Sequence, residues 1–302
     1  MKILLLLLLT LEIYGYSIAP KFYKGKVKFI QQMELKYNFD GYNFSELSGL
    51  AYDSKKRILY MVSDKGALFG FDTQINDKSI KLKPKFAHYL KRKNGKRLKK
   101  RKRDSEGIAL DNKGKLAICF EGKPKITYFN KIGTKKSKIE LPNALKYAKP
   151  RSRNKSLESL TFHPKYGFIT ALEYPKRGDK KEYQALYSSS GKIWHYKTDR
   201  IKRNAITAIE LTDDGNLLVL ERAYQGIFNR YIITLRKVII NGCKSTLCKS
   251  EKIIQMDSDK GWDLEDFEGL ARVAENRYLL ISDDSDSIFL KTLLIYFEIT
   301  KQ

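Results

Sequence analysis

The sequence predicts an all-β protein, a β-propeller with five four-stranded blades and room for a sixth. Three observations lead to this prediction. A two-strand pattern recurs five times along the 302 residues. Most copies are followed by further strand-like runs, and helical periodicity is hardly visible. Repeats of ~40–50 residues that hold up to four strands are typical of propeller blades.

Residues 1–19 are predicted to be a signal peptide, and residues 20–302 the propeller domain. Met1-Lys2 precedes an apolar run from Ile3 to Leu11 and then Gly15-Tyr16-Ser17, which is the order of a secretory signal. We place the cleavage after Ser17, with Ala19 as the alternative. The apolar run is far shorter than the ~20 residues of a membrane-spanning helix. We therefore expect a periplasmic or secreted monomer without a transmembrane segment in the mature chain.

The five copies begin with an anchor residue, a small residue and a large aliphatic residue, which is strand alternation. A polar turn and a second, more apolar strand follow. The copies are "LSGLAYDSKKRILYMVSDKG" (47–66), "SEGIALDNKGKLAICFEG" (105–122), "LESLTFHPKYGFITALEY" (157–174), "ITAIELTDDGNLLVLER" (206–222) and "FEGLARVAENRYLLISDD" (267–284). Between the copies lie runs such as "ALFGFD", "ITYFNK" and "KIWHYK", which supply the outer strands.

The two ends of the chain are predicted to share a blade. The segment "GKVKFIQQMEL" (25–35) precedes the first copy, so it could complete the blade begun by residues 268–302. A sixth blade would have to lie in the long connections 72–104 or 236–262.

Acidic residues recur in two columns of this repeat. Both ends of an antiparallel hairpin return to one edge, so the two columns should meet on one rim of the channel. The first column holds Glu106, Glu158 and Glu268, and the second holds Asp64, Glu121, Glu173, Glu221 and Asp283, with Glu46, Asp104, Asp266 and Asp284 close by. Such a cluster suits calcium, which takes six to eight oxygen ligands, or a general acid and base. Alternatively, these acids bond to turn amides or pair with neighbouring cations.

Several motifs resemble the phytase-like domain family, also described as having esterase-like activity of phytase. They are "ELSGLAYD…YMVSDKG", "DSEGIALD", "SLESLTF…ALE" and "DFEGLARV…LLISDD", and the resemblance spans roughly residues 44–300. It implies a propeller with a phosphomonoesterase or phosphodiesterase role. Glu106, Glu158 and Glu268 match the family's glutamates and are the candidate catalytic residues, and Asp64 and Asp283 match its aspartates. The chain departs from the pattern at Ser48 and Thr207.

Other hydrolytic machinery is absent from the sequence. There is no GxSxG elbow, no P-loop and no GxGxxG after a strand, and the RHGxRxP signature of histidine-acid phytases is missing. We expect His88, His163 and His195 to be structural. Hydrolysis would therefore need metal-activated water, with calcium held by the second column. Lys65, Lys123 and Arg222 would contact an anionic substrate, or are simply charged strand ends.

The net charge of +25 includes "KRKNGKRLKKRKR" (91–103), with ten basic residues in thirteen. This segment is either a patch for polyanions or a solvated loop. No aromatic residues interleave for base stacking, so nucleic acid is not an expected partner. The alternative to the hydrolase is a non-catalytic propeller that binds a protein, a glycan or an anionic surface polymer.

The three cysteines differ in setting. Export would allow Cys243 and Cys248, close together in a polar turn, to form a disulfide. Cys119 lies in the apolar "LAICFE" and is expected to be a buried hydrophobic residue rather than a nucleophile.

Overall fold

The structure, a computed structural model, describes residues 17–21, 23–146, 150, 156–224 and 230–300. Most of the predicted signal peptide, residues 1–16, lies outside this part of the chain. The described residues contain one short α-helix, α1 (Asn143–Lys146), and none that is long and apolar enough to span a bilayer. Nearly all other regular structure is β-strand.

Twenty-one strands form five sheets in the described residues. The strands are β1 (Val27–Glu34), β2 (Leu47–Asp53), β3 (Ile58–Ser63), β4 (Ala67–Ile75), β5 (Ile80–Tyr89), β6 (Ser105–Leu110), β7 (Leu116–Phe120), β8 (Lys125–Phe129), β9 (Lys135–Ile139), β10 (Leu157–His163), β11 (Gly167–Leu172), β12 (Tyr183–Ser188), β13 (Ile193–Lys197), β14 (Asn204–Leu211), β15 (Leu217–Tyr224), β16 (Tyr231–Val238), β17 (Leu247–Cys248), β18 (Ser250–Asp257), β19 (Asp266–Ala274), β20 (Arg277–Asp283) and β21 (Leu293–Ile299).

The sheets are the five blades of a β-propeller, which confirms the predicted fold. Blade 1 is β2-β3-β4-β5, blade 2 is β6-β7-β8-β9, blade 3 is β10-β11-β12-β13, blade 4 is β14-β15-β16-β18 and blade 5 is β19-β20-β21-β1. The connections in which a sixth blade was considered instead supply the outer strands β5 and β18. Five is therefore the blade count in the described residues.

The ring closes through strands from opposite ends of the chain. Strand β1 pairs antiparallel with β21, with Val27 opposite Ile299 and Glu34 opposite Leu293. This pairing places an N-terminal strand at the outer edge of blade 5, as the sequence indicated.

Apolar side chains fill each interface between neighbouring blades. One cluster, for example, joins Tyr60 and Leu68 of blade 1 to Ile118 and Phe129 of blade 2. Four more clusters occupy the other interfaces around the ring. Strand β3 is buried along its whole length, because a blade has a neighbour on both faces. Burial of each large aliphatic side chain contributes about 1.5–3 kcal/mol.

A disulfide lies in the connection between β16 and β18. It joins Cys243 to Cys248, and the adjacent strand β17 pairs in parallel with β13 at the edge of blade 3. Cys119 is a free thiol, fully buried between blades 2 and 3.

Candidate functional site

The first-column residues occupy the same β-bulge in all five blades. The strand register shifts between Leu47 and Gly49 in blade 1, and the same shift recurs at Ser105/Gly107, Leu157/Ser159, Ile206/Ala208 and Phe267/Gly269. A bulge leaves one residue unpaired and re-aims its side chain. The unpaired residues are Ser48, Glu106, Glu158, Thr207 and Glu268.

These five residues and their two successors line one small cavity where the inner strands meet. Its volume is about 10 Å³, which is room for at most one water molecule. A Cβ atom on Gly107 would lie 2.7 Å from the backbone nitrogen of Leu160. The small residue after each anchor is therefore required by the convergence of the strands, and the channel is packed below the anchor residues.

The second column lies beside the start of the inner strands. The backbone N–H groups of Asp64, Glu121 and Glu173 donate to the carbonyl oxygens of Glu46, Asp104 and Ser156, at 3.0, 3.0 and 2.9 Å. In blade 5, Asp283 pairs with Asp266. Both columns thus reach one rim. We call its eight carboxylates the acidic mouth: Asp64, Asp104, Glu106, Glu121, Glu158, Glu173, Glu268 and Asp283.

The expected position of Glu221 is corrected by the strand register. Glu221 pairs with Ile206, so it corresponds to Ser63 and Phe120, one residue before the acids of the other blades. Its side chain, 1% exposed, accepts from the Tyr196 hydroxyl at 2.9 Å and lies 3.2 Å from Arg236 Nε. Successive side chains on a strand point to opposite faces, and Glu221 therefore lies between blades 3 and 4, outside the acidic mouth.

Arg222 takes the rim position in blade 4. Its guanidinium donates to Glu268 Oε1 at 2.6 Å and to the carboxylate of Asp266. The side chains of Arg222, Asp266 and Glu268 are each less than one-fifth exposed. The fourth blade therefore contributes a hydroxyl, from Thr207, and a cation to the ring in place of two acids.

Two groups of carboxylates in the mouth are close enough to share a cation. Asp104, Glu106 and Glu121 form one, and Glu121, Glu158 and Glu173 the other, each with ligand oxygens within 4.8 Å of one another. Glu121 and Glu158 also share a hydrogen bond. The Ser156 backbone N–H donates to Glu121 Oε1 at 3.2 Å. Glu121 belongs to both groups and links them.

Burial and mutual repulsion raise the pKa of most of these acids. For Glu106 and Glu158, burial is the largest cause of the raised pKa, and the charges of neighbouring glutamates raise the pKa of both further. Burial also raises the pKa of Glu268 to about 8, although Arg222 opposes the shift, and that of Asp283 to about 7. The pKa of Asp64 rises to about 6 through burial and the charge of Glu46. The mouth thus retains protons near neutral pH.

The predicted substrate-contacting cations have different surroundings. Lys65 forms an ion pair with Glu46 and lies 3.7 Å from Asp64 Oδ1. Arg222 is held by its two carboxylates. Lys123 is exposed and forms no ion pair among the described residues. Glu46 has a left-handed backbone (φ 52°), which is uncommon for a residue other than glycine.

The histidines lie apart from the acidic mouth. His163 is the last residue of β10, at the other end of the β10–β11 hairpin, where its ring accepts from the Lys165 backbone N–H at 3.0 Å. His88 stacks on Phe86 in outer strand β5. Neither ring faces the carboxylates.

The donor set of the mouth fits a hard cation such as calcium, which binds oxygen ligands. The clustered side chains are all carboxylates. In addition, Glu46 Oε2 and Asp64 Oδ1 are buried without a hydrogen-bond partner among the described residues. Lys65 already lies beside both of these side chains, which stand outside the two carboxylate groups, so the fit to calcium rests on the donor chemistry of the groups themselves.

Comparison with known proteins gives a family match and a structural likeness. The model of the phytase-like family, described as "Esterase-like activity of phytase", matches residues 43–285. No curated protein sequence matches the chain. A crystal structure of selenomethionine-substituted virginiamycin B lyase from Staphylococcus aureus has 11% sequence identity and a TM-score of 0.42, covering 90% of this chain and 99% of its own. Because the family model covers most of its length, the chain belongs to the phytase-like family.

Proposed function

We propose that the protein is an exported phosphoric ester hydrolase that depends on calcium bound at the acidic mouth. The observation that carries the proposal is the pair of carboxylate groups that share Glu121, with oxygens within 4.8 Å in each. The family match adds support, since the family's description names an esterase-like activity.

The residues that would hold calcium are those of the two linked groups, Asp104, Glu106, Glu121, Glu158 and Glu173. When bound, calcium would supply charge neutralisation for a phosphoryl oxygen and a more acidic water. Several of these acids have raised pKa values. Binding would therefore release protons from the mouth.

Glu268 is suited to act as a general acid in this site. Burial raises its pKa to about 8, so the group carries a proton at neutral pH and can donate it to a leaving oxygen. Arg222, bonded to Glu268 Oε1 at 2.6 Å, fixes the orientation of the carboxyl group. Lys65, beside the rim, would contact the remaining phosphate oxygens, whereas Lys123 lines a separate cavity on the outer part of blade 2.

Turnover of a chromogenic phosphodiester by residues 18–302, with calcium or with a chelator, tests the proposal. We expect calcium-dependent hydrolysis that falls by about 100-fold or more in Glu268→Gln, the range of general acid catalysis. Glu210→Gln is the matched control, because Glu210 is a half-buried acid of blade 4 that accepts a hydrogen bond from Thr161 at 3.1 Å outside the mouth. Hydrolysis that persists in chelator, or that both variants lower equally, would refute the proposal.

We also propose that the mature protein begins at Ile18 after export. Ile18 is fully buried against a cluster that includes Trp262, and its carbonyl accepts from the Asp263 backbone N–H at 3.0 Å. Cleavage after Ala19 would remove this packing, whereas cleavage after Ser17 preserves it. N-terminal sequencing of the exported protein should read Ile-Ala-Pro-Lys. A retained Met1 would contradict export with cleavage.

A further inference from the structure

A second charged site lies on the outer part of blade 2. The connection between blades 1 and 2 and the outer strands β8 and β9 line an open cavity of about 370 Å³. Its cationic lining, which we call the basic cavity, consists of Arg92, Lys93, Lys102, Lys123, Lys125, Lys135 and Lys138.

The walls of the basic cavity are held by backbone hydrogen bonds and packing. Lys91 donates to the Gly133 carbonyl at 2.7 Å, and Lys135 donates back to the Lys91 carbonyl at 2.9 Å. Leu98 donates to the Leu90 carbonyl at 2.8 Å, and its side chain is buried in the interface between blades 1 and 2. The basic segment 91–103 is therefore attached to the blades, and its cations surround a formed cavity.

The charges of the basic cavity are not neutralised within the part of the chain that the structure describes. None of the seven side chains forms an ion pair there, whereas Lys65, Arg222 and Arg236 all do. Clustered cations without counter-charges repel one another. A bound anion would relieve this repulsion.

Lys125 is placed at the inner wall of the cavity. Its ammonium lies 3.7 Å from the centre of the Phe120 ring and donates to the Lys102 carbonyl at 3.2 Å. The pKa of Lys125 is lowered to about 7, mainly by burial and then by the charges of Lys135 and Lys102. Asp104 and Cys119 partly oppose this shift. An anion would favour the protonated form.

We propose that the basic cavity binds a compact oxyanion ligand that carries several phosphate or sulfate groups. A cavity of about 370 Å³ matches the lower range of small-molecule sites, ~300–1,000 Å³. Seven cations suit a ligand with several negative charges. Nucleic acid is disfavoured, because Phe129 is only 4% exposed and offers no stacking surface. Binding here does not depend on hydrolysis at the acidic mouth.

Calorimetric titration of residues 18–302 with inorganic tripolyphosphate, without calcium and at fixed ionic strength, tests the proposal. We expect saturable binding that weakens at least tenfold in the double variant Lys102→Gln/Lys138→Gln. The control Lys81→Gln/Lys83→Gln removes two charges from β5, away from the cavity, and should change the affinity less than twofold. Absence of binding, or equal weakening in both variants, would overturn the proposal.

A second titration, with a polymeric ligand, distinguishes binding in the basic cavity from attraction to the overall positive charge of the protein. Dextran sulfate presents similar groups on a long chain, and both double variants should weaken its binding about equally. A selective loss of dextran sulfate binding in the cavity variant, with tripolyphosphate binding unchanged, would show that the ligand is not compact and would overturn the proposal.

The role of Lys125 has its own test. The ratio of tripolyphosphate affinity in the wild type to that in Lys125→Arg should fall as the pH rises from 6 to 8, because Lys125 loses its proton in this range while the titration of the ligand is common to both proteins. Lys125→Arg stays charged throughout this range, while Lys125→Met should bind more weakly than Lys125→Arg at both pH values. A ratio of wild-type to Lys125→Arg affinity that does not change with pH would refute this role, and thermal unfolding of each variant verifies folding.

Discussion

Arg222 shows how one residue changes the character of the site. In four blades the second strand leads to an acid at the rim, and in blade 4 the same position holds a guanidinium bound to Asp266 and Glu268. The sequence distance from the first-column residue identifies Arg222 as the rim residue. Arg222 lies 15 positions after Thr207, and Glu121 lies 15 positions after Glu106. Glu221 has the acidic residue type of the other rim positions, but it lies one position earlier, and its side chain points to the opposite face of the strand.

Removal of Arg222 should destabilise the protein through the acids that it leaves behind. We expect Arg222→Gln to cost about 3 kcal/mol of unfolding free energy at pH 8, because an unpaired buried charge is expensive. The loss should shrink at pH 5, because Glu268, whose pKa burial raises to about 8, is then protonated and does not need the cation. Urea unfolding at both pH values measures it.

Arg272→Gln is the control for this prediction. It breaks the more exposed ion pair of Arg272 with Asp213 and should cost less than about 1 kcal/mol. If Arg222→Gln is no more destabilising than this control, the ion pairs at the rim do not offset the burial of the acids.

At the level of elements, the bulged inner strand is the unit that builds the mouth. The sequence predicted the strand, its small residue and the return of the hairpin to one edge. It did not predict the bulge, because a register shift depends on pairing with the next strand rather than on local composition. It also did not predict the basic cavity, which requires the packing of segment 91–103 against β8 and β9.

The disulfide is expected to stabilise the pairing of β17 with β13. The His195 N–H donates to the Thr246 carbonyl at 2.6 Å, beside Cys248. Cys243→Ser/Cys248→Ser should cost about 2 kcal/mol, as expected for a short loop, and should speed hydrogen exchange at His195. Unchanged exchange and unchanged unfolding would show that β17 holds without the bond.

The whole molecule separates its charges into an acidic mouth and a basic cavity, linked by the turn that leads from Glu121 to Lys125. The net charge of +25 alone does not reveal this arrangement. The five blades and the closure by β1 could be predicted because repeats and strand patterns are local features of sequence. The charge separation could not, since it depends on which strand ends meet in space.

Stability without calcium should decrease as the pH rises. The raised pKa values of Asp64, Asp283 and Glu268, about 6, 7 and 8, mean that the folded state binds more protons than the unfolded state between about pH 4 and 8. Their contribution is most favourable at the acidic end and is lost as they ionise. Thermal unfolding in chelator should give a lower Tm at pH 8 than at pH 5.5.

Glu268→Gln should reduce this dependence of Tm on pH, because it removes one of the titrating groups. The control is Glu251→Gln, which changes an exposed side chain of β18 and leaves the mouth intact. A Tm that rises with pH in the wild type would contradict the prediction that repulsion among the mouth acids opposes folding.

Calorimetric titration of residues 18–302 with calcium at pH 8, in two buffers of different ionisation enthalpy, tests the central claim most directly. We predict saturable binding with release of protons, lost in Glu121→Gln/Glu158→Gln and retained in Glu210→Gln. Absence of calcium binding, or equal binding in all three proteins, would contradict the claim that the acidic mouth is a cation site.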